Sequence, residues 1–355
     1  MSLLRLSRGG ILRDCFRRYT TAAASEKGKT KAAEPPAAKA SSSSSGKKIS
    51  DIIEQAFSAN AYKDAFKFLE TSDNKFSIWT NKDMRTHTTA FANGLLELGY
   101  TKGDKIVTWL PFGSAEFVTI VLAASRIGAV VVPVNHSTSK SVVDLTQIVK
   151  ALETSSPKAF IYWHDYQANF PEEFVYDAEE DGYDPLAEKL FPNIRADSAG
   201  LKGLTRLTGI PFGSPRFPTL KHVVHTGLRN YRRVLRFRNM LVYNMSPYVL
   251  DALKEAQSKV TPEDPLLVDT DGKLLASQKD LIQNASKLGV SMKLTSNQAN
   301  GTGRLIVPTA APAASVISGL LSSLMYESLG VLPGLVSDET AVQKAALVEA
   351  GVVMH

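Results

Sequence analysis

Between residues 84 and 134 the chain alternates twice between a helical and a buried, extended pattern, and this constrains its fold more than any other feature. Met84 to Leu98 carries apolar or small residues at helical spacing and closes at Gly99, a natural C-cap. Lys105 to Leu110 reads as a buried strand ending at Pro111. Ser114 to Arg126 reads as a helix stopped by Gly128, and Ala129 to Val134 as a second strand. Parallel strands need crossover connections, and helices alternating with strands supply them. The expected class is α/β, with parallel-sheet layers and flanking helices.

The same reading extends to both sides. Ser50 is an N-cap for a helix with Ile52, Ile53, Ala56 and Phe57 at helical spacing. Further on, strands are expected at Lys221–Thr226, Leu266–Val268 and Leu305–Val307. Helices are expected at Pro247–Gln257, Lys279–Leu288, Ala313–Leu329 and Ala341–Glu349. Residues 165–188 are acidic and aromatic without a clear period, and read as a surface insertion. Residues 305–326 contain no charged side chain and have the length of a membrane span. Pro308, Pro312 and the serines that follow favour a strand, a turn and a buried helix instead.

Charge separates a leader from this body. Eleven of the 41 Lys and Arg residues lie in residues 1–48, against three acids, Asp14, Glu26 and Glu34. The remaining 30 bases face 32 acids, so the basic pI says little about what the body binds. Arg5, Arg8, Arg13, Arg17 and Arg18 alternate with Leu3, Leu4, Leu6, Ile11, Leu12 and Phe16. A basic amphipathic segment followed by Ser, Thr and Ala has the form of a mitochondrial presequence, here residues 1–19. The Ala, Lys, Pro and Ser of residues 20–48 bury too little to offset ordering and read as a flexible tether, leaving 49–355 as the body. The expected location is the matrix or the matrix face of the inner membrane.

Chemistry-bearing patterns are sparse. The only cysteine, Cys15, lies in the leader, which excludes a disulfide framework or a thiolate site in the body. His222 and His225 are close in sequence but offer no established ligand spacing. Segment 216–240 is basic, with Arg216, Lys221, Arg229, Arg232, Arg233, Arg236 and Arg238 interleaved with Tyr231 and Phe237. Its solvated form is a plain charged face. Its functional forms are contact with anionic lipid or an acidic partner through Arg229, Arg232, Arg233, Arg236 and Arg238, or RNA binding.

From Trp79 to Ser137 the chain resembles the N-terminal region of the AMP-forming acyl-CoA synthetase, adenylation-domain and luciferase superfamily. The resemblance is carried by Leu98-Gly99, Gly103-Asp104, Leu110-Pro111, Leu122 to Ala124 and Gly128 to Asn135 in order. It implies the N-terminal subdomains of that family, with the C-terminal domain absent. The family's phosphate loop would fall between Asp264–Val268 and Lys279–Ala285, where this chain has DTDGKLLASQ and only Thr270, Gly272 and Lys273 to match it. Small residues and backbone amides wrap phosphates in such loops, and too few remain here. Val307-Pro308-Thr309-Ala310-Ala311 stands where the family has an aromatic and a histidine. These departures, with the segments that would follow His355, lead to the expectation of a pseudoenzyme with no catalytic, cofactor-binding or metal residue and no cofactor. The expected role is a structural or accessory subunit of a mitochondrial complex, with ATP synthase preferred over a respiratory complex or a mitoribosome. The alternatives are residual binding of CoA, an acyl group or a nucleotide, and RNA binding through 216–240.

Overall fold

The computed structural model describes residues 46–69, 76–136, 145–164, 182–194, 213–227, 230–244, 246–294, 303–334, 339–349 and 352–354. The expected presequence, 1–19, and nearly all of the expected tether, 20–48, lie outside these residues. The chain opens with helix α1 (Ile49–Ala59), strands β1 (Asp64–Leu69) and β2 (Phe76–Thr80), and helix α2 (Asn81–Glu97). Thr80 and Asp83 form a reciprocal capping box that fixes where α2 begins, a turn earlier than its apolar spacing suggests. Then come β3 (Lys105–Leu110), α3 (Ala115–Ile127) and β4 (Val130–Asn135), each within a residue of its sequence-based bounds. Ser114 caps α3 by accepting from Phe117 N. The next elements are α4 (Thr146–Ser155), β5 (Ala159–Tyr162), α5 (Pro185–Leu190), β6 (His222–His225) and β7 (Leu235–Arg236). The last are α6 (Pro247–Ser258), β8 (Pro265–Val268), β9 (Leu274–Ser277), α7 (Gln278–Ser291), β10 (Arg304–Ile306), α8 (Ala313–Met325), β11 (Leu329–Leu332), α9 (Glu339–Glu349) and β12 (Val352–Val353).

These strands make two sheets. One has seven strands in the order β7-β6-β5-β3-β4-β8-β9, parallel except for β9. The other has five in the order β12-β10-β11-β1-β2, parallel except for β2. Successive residues of a strand point to opposite faces. Ile106 and Leu110 of β3 therefore enter a core between the sheets, while Val107 and Trp109 enter the core beyond. The middle core is filled by α1, α2, α3, α7 and α8, with Phe91, Phe117, Leu281 and Leu320 among its residues. On the far side of the seven-stranded sheet α4 and α5 supply Ile148, Leu152, Leu186 and Leu190. On the outer side of the five-stranded sheet Ala345 of α9 packs with Ile306 and Val331. The layers run helix, sheet, helices, sheet, helices.

A few buried polar groups tie the middle layer together. Gln278 donates from Nε2 to Ser125 O at 2.9 Å and accepts Ile49 N at 3.2 Å, joining the ends of α7, α3 and α1. Arg126, 2% exposed, meets Glu54 at 3.1 Å.

Three expectations need correction. The apolar run 313–329 is not one helix: α8 ends at Met325, Glu327 turns at φ 52°, and β11 begins at Leu329. A continuous apolar run has no period that separates a buried helix from a buried strand. The end of the presumed insertion is core, because Leu186, Ala187 and Leu190 of α5 are buried; residues 165–181 lie outside the described residues. The turn before α7 holds an extra strand, β9. Among the described residues no helix is long and apolar enough to cross a membrane.

Candidate functional site

Ligands of open α/β sheets bind beyond the carboxyl ends of the strands. In this chain the loops leaving β3, β10 and β11 meet there. A Cβ on Gly113 would lie 2.1 Å from Gly334 O and 2.5 Å from Thr309 Cγ2, so only glycine permits this approach. Thr309, 1% exposed, donates to Gly334 O at 3.0 Å. Val307 N donates to Val331 O at 2.8 Å, and Val307 itself is buried. The segment 307–311 therefore acts here as a seam between loops, closed by backbone and small side chains.

The turn between β8 and α7 is a hairpin held by its own first residue. Asp269 Oδ1 accepts Asp271 N at 2.9 Å and Lys273 N at 2.7 Å, while Asp269 N donates to Lys273 O at 2.9 Å. Gly272 supplies the left-handed residue at φ 78°. Lys150 Nζ pairs with Asp271 at 2.7 Å, and Thr154 Oγ1 donates to Thr270 O, so the tip is fastened to α4. Amides that would cradle a phosphate are turned onto a carboxylate, and a phosphate would meet that negative charge. At the start of α7, Ser277 and Asp280 cap each other; their hydrogen bonds hold the Asp280 carboxyl below its ordinary range. Of the residues matched to the phosphate loop, Thr270, Gly272 and Lys273 thus all belong to a hairpin turn.

The histidines separate. His222 and His225 occupy the two ends of β6 and point to opposite faces. The His222 ring meets Tyr100 Oη at 2.9 Å, and burial, with Lys158 and Lys221 nearby, lowers its pKa to about 4. His225 is fully buried beside His164 and Tyr231. His164 Nε2 lies 2.8 Å from Tyr231 Oη and 3.7 Å from the buried Asp184. This group joins the ends of β5, β6 and the start of α5. Sequence reasoning missed it, because no local spacing links residues 164, 184, 225 and 231. His136, past the end of β4, lies over Trp109 at 4.4 Å between centroids, and burial lowers its pKa to about 4. Among the described residues no group of His, Cys, Asp or Glu could hold a metal ion.

The basic segment is less exposed than its composition implies. Arg216 pairs with Glu153 at 2.7 Å. Arg232 is half-buried over Tyr183, Arg233 is half-buried at φ 61°, and Arg236 is half-buried and bonded to Asn239 Oδ1 at 3.2 Å. Arg238 is exposed, and Arg229 lies outside the described residues. Residues 237–242 run as a strap over α2. Phe237 stacks on Phe91 at 4.9 Å, and Val242 N donates to Ala90 O at 3.0 Å.

This architecture matches known proteins. Residues 54–199 fit the AMP-binding enzyme family. Over those residues, fewer than half of its length, the chain is similar to the AMP-binding enzymes. An acetyl-coenzyme A synthetase of Ralstonia pickettii is 42% identical over 72 residues, 20% of this chain and 11% of that protein. A long-chain-fatty-acid CoA ligase from Rhodopseudomonas palustris shares the fold at TM-score 0.57 and 16% identity, over 88% of this chain and 63% of the other. An acetoacetyl-CoA synthetase from Streptomyces lividans does so at TM-score 0.52 and 16% identity, over 81% and 38%. This chain therefore spans only part of the length of the proteins it matches. The expectation of a pseudoenzyme is corrected by these relatives, which are enzymes. It leaned on the altered turn, on Val307 to Ala311 in place of an aromatic and a histidine, and on segments past His355, and where this chain ends says nothing about those segments.

Proposed function

We propose that this AMP-binding-type body works in mitochondria, on the matrix side of the inner membrane, as an accessory subunit of a larger assembly. The observation that carries the reading is the rim built by the strap and the start of α6. The strap's backbone is anchored on α2, and it presents exposed Arg238 and Tyr243, with exposed Tyr248 on α6 beyond it. A rigid rim of cation and tyrosine suits an acidic protein surface, since aromatic and Arg side chains dominate interface energetics. The basic leader, poor in acids, supports the compartment.

Native-gel migration of the endogenous protein tests this. Co-migration with one large complex, lost when that complex's core subunits are depleted, is the expected result; ATP synthase is the first complex to examine. Migration as a free chain refutes it. A second reading, acyl-CoA ligase chemistry, is favoured by the match to the acetyl-coenzyme A synthetase. Its signature is acetate-dependent ATP–pyrophosphate exchange by the purified chain.

A further inference from the structure

Among the described residues Tyr248, Tyr62 and Tyr243 are exposed, to 83%, 70% and 45%, and their hydroxyls stand in different settings. Tyr248 lies in the first turn of α6, its hydroxyl without a protein partner among the described residues. Tyr62 lies under a cation, with Lys82 Nζ 5.2 Å from its ring centroid. Tyr243 is bonded to a base: its Oη lies 2.9 Å from His87 Nδ1.

Backbone and packing hold this last pair together. Val242, next to Tyr243, donates its N to Ala90 O at 3.0 Å and so sets the tyrosine against α2. His87 and Ala90 are three residues apart and share a face of that helix. The His87 ring also packs on Trp79 at 4.9 Å between centroids, and Trp79 on Phe68 at 5.0 Å. Burial lowers the His87 pKa to about 4 in spite of Asp83. At neutral pH the ring is therefore uncharged, and its Nδ1 faces the phenol as an acceptor.

Removing an electron from a phenol makes its proton strongly acidic, so the loss is easiest where a base already holds that proton. A cation over the ring opposes the same loss, because it attracts the π electrons. We propose that Tyr243 is the preferred site of one-electron oxidation and nitration among these three tyrosines, with His87 as the base that receives its proton. The oxidant is a one-electron acceptor such as the carbonate radical, which becomes carbonate while the Oη proton passes to His87. The phenoxyl radical left behind joins nitrogen dioxide at a ring carbon ortho to Oη. The proton on that carbon then leaves and Oη regains one, giving 3-nitrotyrosine. The product is a more acidic phenol on the rim that also presents Arg238. The inference goes beyond the subunit reading and is independent of it, since it concerns the chain with its rim free.

Peroxynitrite in neutral bicarbonate buffer supplies both radicals. With the dose held below one nitro group per chain, mass spectrometry of the digested full chain reads the yield at each tyrosine. In the folded chain Tyr243 should exceed the more exposed Tyr248 by about fivefold, and the preference should vanish in denaturing urea. His87→Phe keeps an aromatic ring beside Trp79 but removes the acceptor, and should bring Tyr243 down to the yield of Tyr248 or below. Circular dichroism checks that this variant is folded; if it is not, the folded-to-urea comparison of the wild-type chain decides. Yields that follow exposure in the folded wild-type chain, or a folded His87→Phe chain that keeps the wild-type preference, overturn the proposal.

Discussion

Replacing Gly94 by alanine tests whether the basic strap is part of the fold or a loose solvated face. Gly94 lies inside α2, where alanine gains about 1 kcal/mol in helix propensity over glycine. Against that, the added Cβ would sit 1.9 Å from Met240 O and 2.8 Å from Met240 C. The strap must retreat by more than about 1 Å to restore an ordinary contact. The retreat breaks the bond from Val242 N to Ala90 O, worth about 1 kcal/mol, and disturbs the Phe91–Phe237 stack, worth about 0.5–1.5 kcal/mol. Met240, 3% exposed, also loses part of its packing. The opposing terms exceed the propensity gain, and a net loss of about 2 kcal/mol is expected. Urea unfolding followed by circular dichroism measures it. Equal or greater stability in the alanine variant would refute the docking of 237–242 on α2.

Two further expectations concern buried charge. His136 and His222 are 3% and 4% exposed, and burial lowers each to about 4 from the ordinary 6.5. The unfolded chain therefore takes the proton first, so stability is full above about pH 6.5 and falls as pH drops toward 4, by on the order of 3 kcal/mol per histidine. Melting temperature followed from pH 7.5 to 4.5 should fall less steeply in His222→Gln than in wild type; parallel profiles would contradict the assignment. Glu54→Ala strips the carboxylate from the buried Arg126 guanidinium and should cost about 2–3 kcal/mol in urea unfolding, less than for a fully buried pair because Glu54 is itself 41% exposed. Adding Arg126→Met should recover much of that loss, and a Glu54→Ala variant as stable as wild type would show the pair to be idle.

The alternation from Met84 to Val134 determined the parallel α/β class by itself, because strands buried on both faces and helices with their own caps are local signals. The Leu-Gly, Gly-Asp and Gly-Ala-Val turns in that stretch likewise sufficed for the resemblance to the acyl-CoA synthetases. Tertiary structure alone decided the rest. Leu329–Leu332 became a strand because β10 and β1 offered a ladder on either side. Asp269 turned the presumed phosphate loop into a hairpin because its carboxylate reached two amides close in the chain, and Lys150 of α4 fastened the tip from far away in sequence. Arg232 is half-buried because it lies over Tyr183, some fifty residues earlier in the chain, and Arg236 because it precedes the strap anchored on α2 and bonds Asn239 there. Helix caps and hydrophobic periods act over a few residues and can be read along the chain. The strap's anchor and the His164–Tyr231–Asp184 group depend on segments that only folding brings together.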